Sequence, residues 1–327
     1  MKPTGEADDV TSQNNIIGKG EFKISSTVYT NDGGTISQKT ITIADEDSGF
    51  TSDIQKVTTT DGIANSGELT FTGEGTNKNV ISGTGNLTIN GTIENSTGTA
   101  ISQTAVAVTE GNKFKTRADD ITTTDGIEND GILTFIGGTN ENEITMLEDA
   151  QEAVLNVEDS LVNKANITQK EINIKGGDFE NVRTSSITAE KITVADASTL
   201  ITDAKDLAIS DSITITGKDT LLNFTDNDEA EDATLTANIT GNGYIVKEGK
   251  GKVILTGTND YTGITTISDG SIEISSADNI SENTIYMDGG KLVVNPGDTT
   301  VELGNEIVGT FGTDGMINNV EIEVTGD

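Results

Sequence analysis

The segment VTTTDGIANSGELTF, Val57 to Phe71, returns as ITTTDGIENDGILTF, Ile121 to Phe135, about 64 residues later. ISQKTITIADEDSGF from Ile36 returns as ISQTAVAVTEGNKF from Ile101 and again as ITQKEINIKGGDF from Ile167. GEFKISSTVYTNDGGT from Gly20 matches GNLTINGTIENSTGT from Gly85. A unit of about 65 residues is therefore repeated more than twice, ending loosely near Thr184. A shortened copy, ITAEKITVADAS from Ile187, follows about 20 residues after Ile167 and exposes a smaller period of 20–22 residues, three to each large unit. A period this short is the strongest constraint on the fold. One copy cannot bury its own apolar residues, so the copies must stack and share a core.

Each small unit reads as strands joined by turns. ISQTAVAV and ITQKEINI alternate or run in β-branched residues, and isoleucine leads the apolar set. DGIANSG, GGTN, NSTG and KGGD punctuate them with residues that tolerate positive φ. Only 4% of the chain is aromatic, which argues against a thick globular core, and two prolines (Pro3 and Pro296) argue against a disordered tract. The fold class this predicts is all-β, a parallel β-solenoid forming a single elongated rod. About fifteen coils, each rising ~4.8 Å, would span roughly 70 Å. Residues 1–220 hold the 65-residue repeats, and residues 221–327 continue the solenoid. Met146 to Asn166 has helix-forming composition, but AVLNV within it aligns with the strand NLTIN of the preceding unit, so strand is expected there.

Charge and missing residue types narrow the chemistry. There are 54 acidic and 20 basic residues, a net charge of −34, which repels phosphate backbones and anionic lipid, so neither nucleic acid nor direct membrane binding is expected. Arg117 and Arg183 are the only arginines, and histidine, cysteine and tryptophan are absent. Histidine acid–base catalysis, Ser–His and Cys–His nucleophiles, common zinc sites and disulfides are thereby excluded. No catalytic residue, cofactor or metal ligand is expected. No apolar run reaches the ~18 residues that span a bilayer. MKPTGEADDV does not read as a signal peptide, so an exported chain is expected to be a mature or excised piece.

The most regular segment is NITGNGYIVKEGKGKVILTGTNDYTGITTISDGSIEI, 238–274. Lys247, Gly249, Gly251, Val253, Leu255, Gly257, Asn259, Tyr261, Gly263, Thr265, Ile267, Gly270 and Ile272 fall at every other position or at corners. This pattern resembles the autotransporter-associated β-strand repeat, with Val253 and Ile272 standing where leucine is usual. The resemblance implies a right-handed parallel β-helix, exported across a Gram-negative outer membrane by a C-terminal β-barrel. No strands of that barrel are expected within residues 1–327. The implied role is an extracellular passenger acting as adhesin or stalk, facing a host or bacterial surface glycan or protein receptor, and not an enzyme. The alternatives are a polysaccharide-active β-helix enzyme and an inert surface-layer repeat protein.

Four sets of residues and one tyrosine stand out as candidate sites. Asp226, Asp228, Glu229, Glu231 and Asp232 could offer oxygen ligands to calcium, as could Asp45, Glu46 and Asp47; neither set fits the EF-hand spacing, and solvated loops are expected. Asp61 and Asp125 could be paired carboxylates of a glycosidase. They recur at equivalent positions before glycine, which points to a turn. Thr58, Thr59 and Thr60, with Thr122, Thr123 and Thr124, return only every third coil and are expected to be solvent-facing strand. Tyr261 is expected to cap the core at a corner rather than stack on a ligand.

Overall fold

The computed structural model describes residues 9–225, 232–297, 300–309 and 320–325. Among them the chain forms parallel strands and four single-turn 3-10 segments, with no α-helix. It divides into two compact units, 1–155 and 156–327. The boundary at 220/221 expected from sequence falls inside the second unit.

In the first unit each strand pairs with one about a coil further on, and inward residues stack into columns. Tyr29, Phe50, Leu69, Leu87, Val106, Ile127 and Ile144 stand opposite one another in turn. All are buried. A second column runs through Ile93, Phe114 and Leu133. The alternation in the sequence produces this directly. In Glu68–Asn77, Leu69 and Phe71 point inward while Thr70 and Thr72 do not. Each buried aliphatic side chain contributes about 1.5–3 kcal/mol of transfer free energy, set against the backbone entropy of ordering its coil.

The second unit repeats the plan. Leu161, Phe179, Leu200, Leu222 and Ile245 form one column, and Ile172, Ile192, Ile213 and Ile239 form another. A separate parallel sheet begins at Asp232. Its inward residues Ala233, Val253, Ile272 and Leu292 stack beside Leu235, Leu255, Ile274 and Val294. The ambiguous stretch is strand: Val154–Asn163 is extended, with Leu155, Val157 and Leu161 buried. Agreement between copies outweighs local helix propensity there.

The corners are held by buried asparagines. Asn77 donates through Nδ2 to the Asn79 carbonyl at 3.1 Å and to Asn95 Oδ1 at 2.8 Å, and Asn95 donates to the Thr99 carbonyl at 2.7 Å. In the second unit Asn163 donates to Asn181 Oδ1 at 2.8 Å, and Asn181 to the Ser185 carbonyl at 2.6 Å. A chain that turns a corner strips its carbonyls of strand partners. An inward amide meets that need and ties one coil to the next.

Candidate functional site

The repeated TTTDG is a β-bulge within a strand, not a turn between strands. Thr59 pairs with Gln38 and Gly62 with Thr40, so Thr60 and Asp61 together oppose Lys39. Thr124 and Asp125 oppose Thr104 in the same way. Gly62 and Gly126 adopt φ of 102° and 97°. A Cβ on them would lie 2.6 Å from the Val80 carbonyl oxygen and 2.8 Å from that of Glu143. Asp61 forms an exposed ion pair with Lys39 at 3.1 Å. The two aspartates occupy matching places on different coils, which is the arrangement of a repeated fold element rather than of one acid–base pair.

The threonines differ from expectation at their middle positions. Thr59 donates its N–H and hydroxyl to Oδ1 of buried Asn79, at 2.8 and 2.9 Å. Thr123 does the same to Asn142, at 2.8 Å each. Thr58, Thr60, Thr122 and Thr124 are exposed.

Of the acidic sets, Asp226, Asp228, Glu229 and Glu231 lie outside the described residues. Asp232 pairs with Lys252 at 2.9 Å, and Lys252 also donates to Glu273 at 2.7 Å. Burial alone would raise the Glu273 carboxyl, but the Lys252 and Asn295 hydrogen bonds hold it below its ordinary value. Asp45 accepts from Ser48 Oγ, Ser25 Oγ and the Ser26 N–H. The Ser48 hydroxyl is the main cause of its lowered pKa. Asp45 thus closes a loop, while Glu46 and Asp47 extend away from it toward solvent. Among the described residues no group of three or more carboxylates gathers as a metal would require.

The regular segment uses its polar motif residues for construction. Tyr261 is buried at a corner with its hydroxyl 2.5 Å from Thr265 Oγ1, and burial raises its pKa. Lys247 is fully buried between Phe224 and Ile267 and donates to the Glu248 and Gly249 carbonyls at 2.5 and 2.7 Å. Asn259 donates to the Asn279 carbonyl at 2.6 Å. Beside them is a cleft of about 320 Å³ whose rim carries Asp260, Asp278, Glu282 and Glu302.

The first unit has a second concavity, in two adjoining parts of about 380 and 350 Å³ that share Gly75 and Thr76. One part reaches Gln55, Thr58 and Lys78, and the other reaches Thr92, Lys113, Lys115 and Thr134. Nothing in the sequence singles these residues out, because they come from different coils.

The polar residues of the most regular motif are thus taken up by the corners of the solenoid itself. Residues 245–274 match the Passenger-associated-transport-repeat family. A stretch of 62 residues, 18% of this chain, is 45% identical to part of the Adhesin BmaC autotransporter of Brucella suis biovar 1 (strain 1330), and covers 2% of that protein. No solved structure matches. The chain carries an autotransporter-type passenger repeat.

Proposed function

We propose that this chain is part of a surface-displayed adhesin or stalk, carried through an outer membrane by a β-barrel translocator and exposed outside the cell. The observation that carries this reading is the passenger repeat at 245–274, set in register within a parallel solenoid. The name of the partly similar Brucella protein supports the adhesin role, and the passenger repeat supports the surface position. We read the chain as non-catalytic, since Asp61 and Asp125 are better explained by the bulge they share.

The test is adhesion. Purified chain should bind saturably to host or bacterial cell surfaces and compete with cells that display it. Absence of binding to every surface and to a glycan array would leave the stalk reading and remove the adhesin one. Release of reducing or unsaturated sugars from a polysaccharide, abolished by Asp61→Asn or Asp125→Asn, would overturn the non-catalytic reading.

A further inference from the structure

The two-part concavity of the first unit crosses several coils. Glu74 stands opposite Thr92, which stands opposite Lys113; Thr76 opposes Glu94, which opposes Lys115, which opposes Thr134. Adding the coil of Gln55, the groove crosses four strand spacings, roughly 19 Å at ~4.8 Å each. The smallest residue of its floor is Gly75. Gly75 has no room for more: a Cβ there would lie 2.8 Å from Gln55 Cγ and 3.1 Å from Ile54 Cγ2.

Its charge is the reverse of the chain's. The lining holds Lys78, Lys113 and Lys115 against Glu74 and Glu94, on a chain whose net charge is −34. Lys78 and Lys113 are exposed and form no ion pair among the described residues. At physiological salt carboxylates beyond ~8 Å are screened, so a ligand in the groove meets chiefly these lysines, Glu74, Glu94 and Asp53, which accepts from the Gln55 N–H at the groove's edge. The remaining lining is hydroxyl-rich, with Thr58, Thr76 and Thr92 facing the space. Hydroxyls that both donate and accept suit a polyhydroxylated chain, and a pyranose residue is about as long as one strand spacing.

We propose that this groove binds a linear acidic polysaccharide, carrying carboxylates or sulfates, laid across the strands with its anions against Lys78, Lys113 and Lys115. This inference rests on the adhesin reading and names its ligand class. The acidic cleft beside Tyr261 would repel the same ligand.

Calorimetric titration of the full chain with heparin-derived and polygalacturonate oligosaccharides, and with neutral cello-oligosaccharides of equal length, tests it. Acidic oligosaccharides should bind at least about tenfold tighter than neutral ones and weaken as salt is raised. The triple substitution Lys78→Gln, Lys113→Gln, Lys115→Gln should lose about tenfold or more. Thr92→Tyr, which fills the groove and leaves the charge intact, should lose a similar factor. Thr92→Tyr should keep the parent's thermal midpoint, since the changed side chain points outward, and the lysine variant should unfold cooperatively at 0.15 M salt, where added self-repulsion is partly screened. Equal binding of neutral chains, or full affinity in either variant, overturns the groove assignment. Cell adhesion without acidic-glycan binding overturns it and leaves the adhesin reading standing; loss of both sinks both.

Discussion

Leu255 is fully buried in the column between Leu235 and Ile274. Leu255→Ala should cost about 2–5 kcal/mol in urea unfolding, because neighbouring coils fixed by ladder hydrogen bonds cannot collapse onto the gap. Thr59 looks dispensable on a strand that faces water, where a substitution costs within about 0.5 kcal/mol. Its two bonds to Asn79 Oδ1 change that: Thr59→Ala removes one of them and should cost about 1 kcal/mol. A loss below half of that would show that the hydroxyl bond is not formed in solution. Asp206 carries the opposite sign. Burial, and then the neighbouring Asp203, raise its pKa, with the Thr184 backbone, Lys205 and Arg183 opposing, and its Oδ2 is buried without a hydrogen-bond partner. A carboxyl whose folded pKa exceeds its unfolded one is protonated first in the folded state. It therefore costs stability at pH values above its folded pKa, and that cost disappears as pH falls through the unfolded value, near 3.8. Asp206→Asn should raise the thermal midpoint at pH 7, and the gain should vanish near pH 3. A gain that persists at pH 3 would assign the effect to packing instead.

The bulge is the element that the repeat preserves. It lets one strand carry an extra residue while the column beneath, Ile41 to Ile63, stays in register. Gly62 meets two demands there, a φ of 102° and the approach of the Val80 carbonyl. Gly98 has a φ of 80°, and a methyl group added to it would meet nothing within 4 Å. Gly62→Ala should therefore destabilise by more than Gly98→Ala, for which strain alone predicts about 1 kcal/mol. Equal costs in parallel denaturant titrations would mean that the carbonyl contact relaxes freely. These elements also mark how far the sequence could be read. Period, strand content, inward Ile/Val/Leu columns and the buried Tyr261 follow from alternation and repetition, which are local properties. The direction of Asn77, Asn95 or Asn163 does not, because asparagine serves equally at an exposed turn and at an inward corner. DG in TTTDG carries the signal of a turn, and only the pairing of Thr59 and Gly62 with the neighbouring strand reveals a bulge. The groove is invisible in the sequence for a different reason: Lys78, Lys113 and Thr134 lie far apart along the chain, and stacking alone brings them to one surface.

Taken whole, the chain carries 54 acidic and 20 basic residues, with a pI near 4.1. A solenoid buries its aliphatic residues and sends its charges outward, so carboxylates on successive coils come within a few strand spacings of one another. Few cations offset them. Pairs such as Lys39–Asp61 and Arg117–Asp119 are largely exposed, and exposed pairs contribute at most about 1 kcal/mol each. Self-repulsion should therefore be a substantial destabilising force at neutral pH and low salt. Raising sodium chloride shortens the screening length from ~30 Å at 0.01 M to ~8 Å at 0.15 M, which weakens repulsion between carboxylates two or more coils apart while leaving contacts within a column untouched. The thermal midpoint at pH 7 should rise over that range and then level off. Calcium and sodium at equal ionic strength should act alike if screening is the cause, whereas a larger rise with calcium would point to a bound ion. Mild acidification should also help at first by neutralising exposed carboxylates. The gain should reverse at lower pH, once Asp45, Asp119 and Glu273 are protonated. The Ser48 hydroxyl holds Asp45 below its ordinary value, and in Asp119 and Glu273 the upward push of burial is outweighed by hydrogen bonds, from Arg117 and from Lys252. A carboxyl with a depressed folded pKa stabilises above its unfolded value, and that contribution is lost as pH falls through the folded one. Differential scanning calorimetry across salt and pH checks both limbs. A midpoint that is flat or falling with salt at pH 7 would mean that the outward carboxylates are already compensated, and that net charge does not limit the stability of this chain.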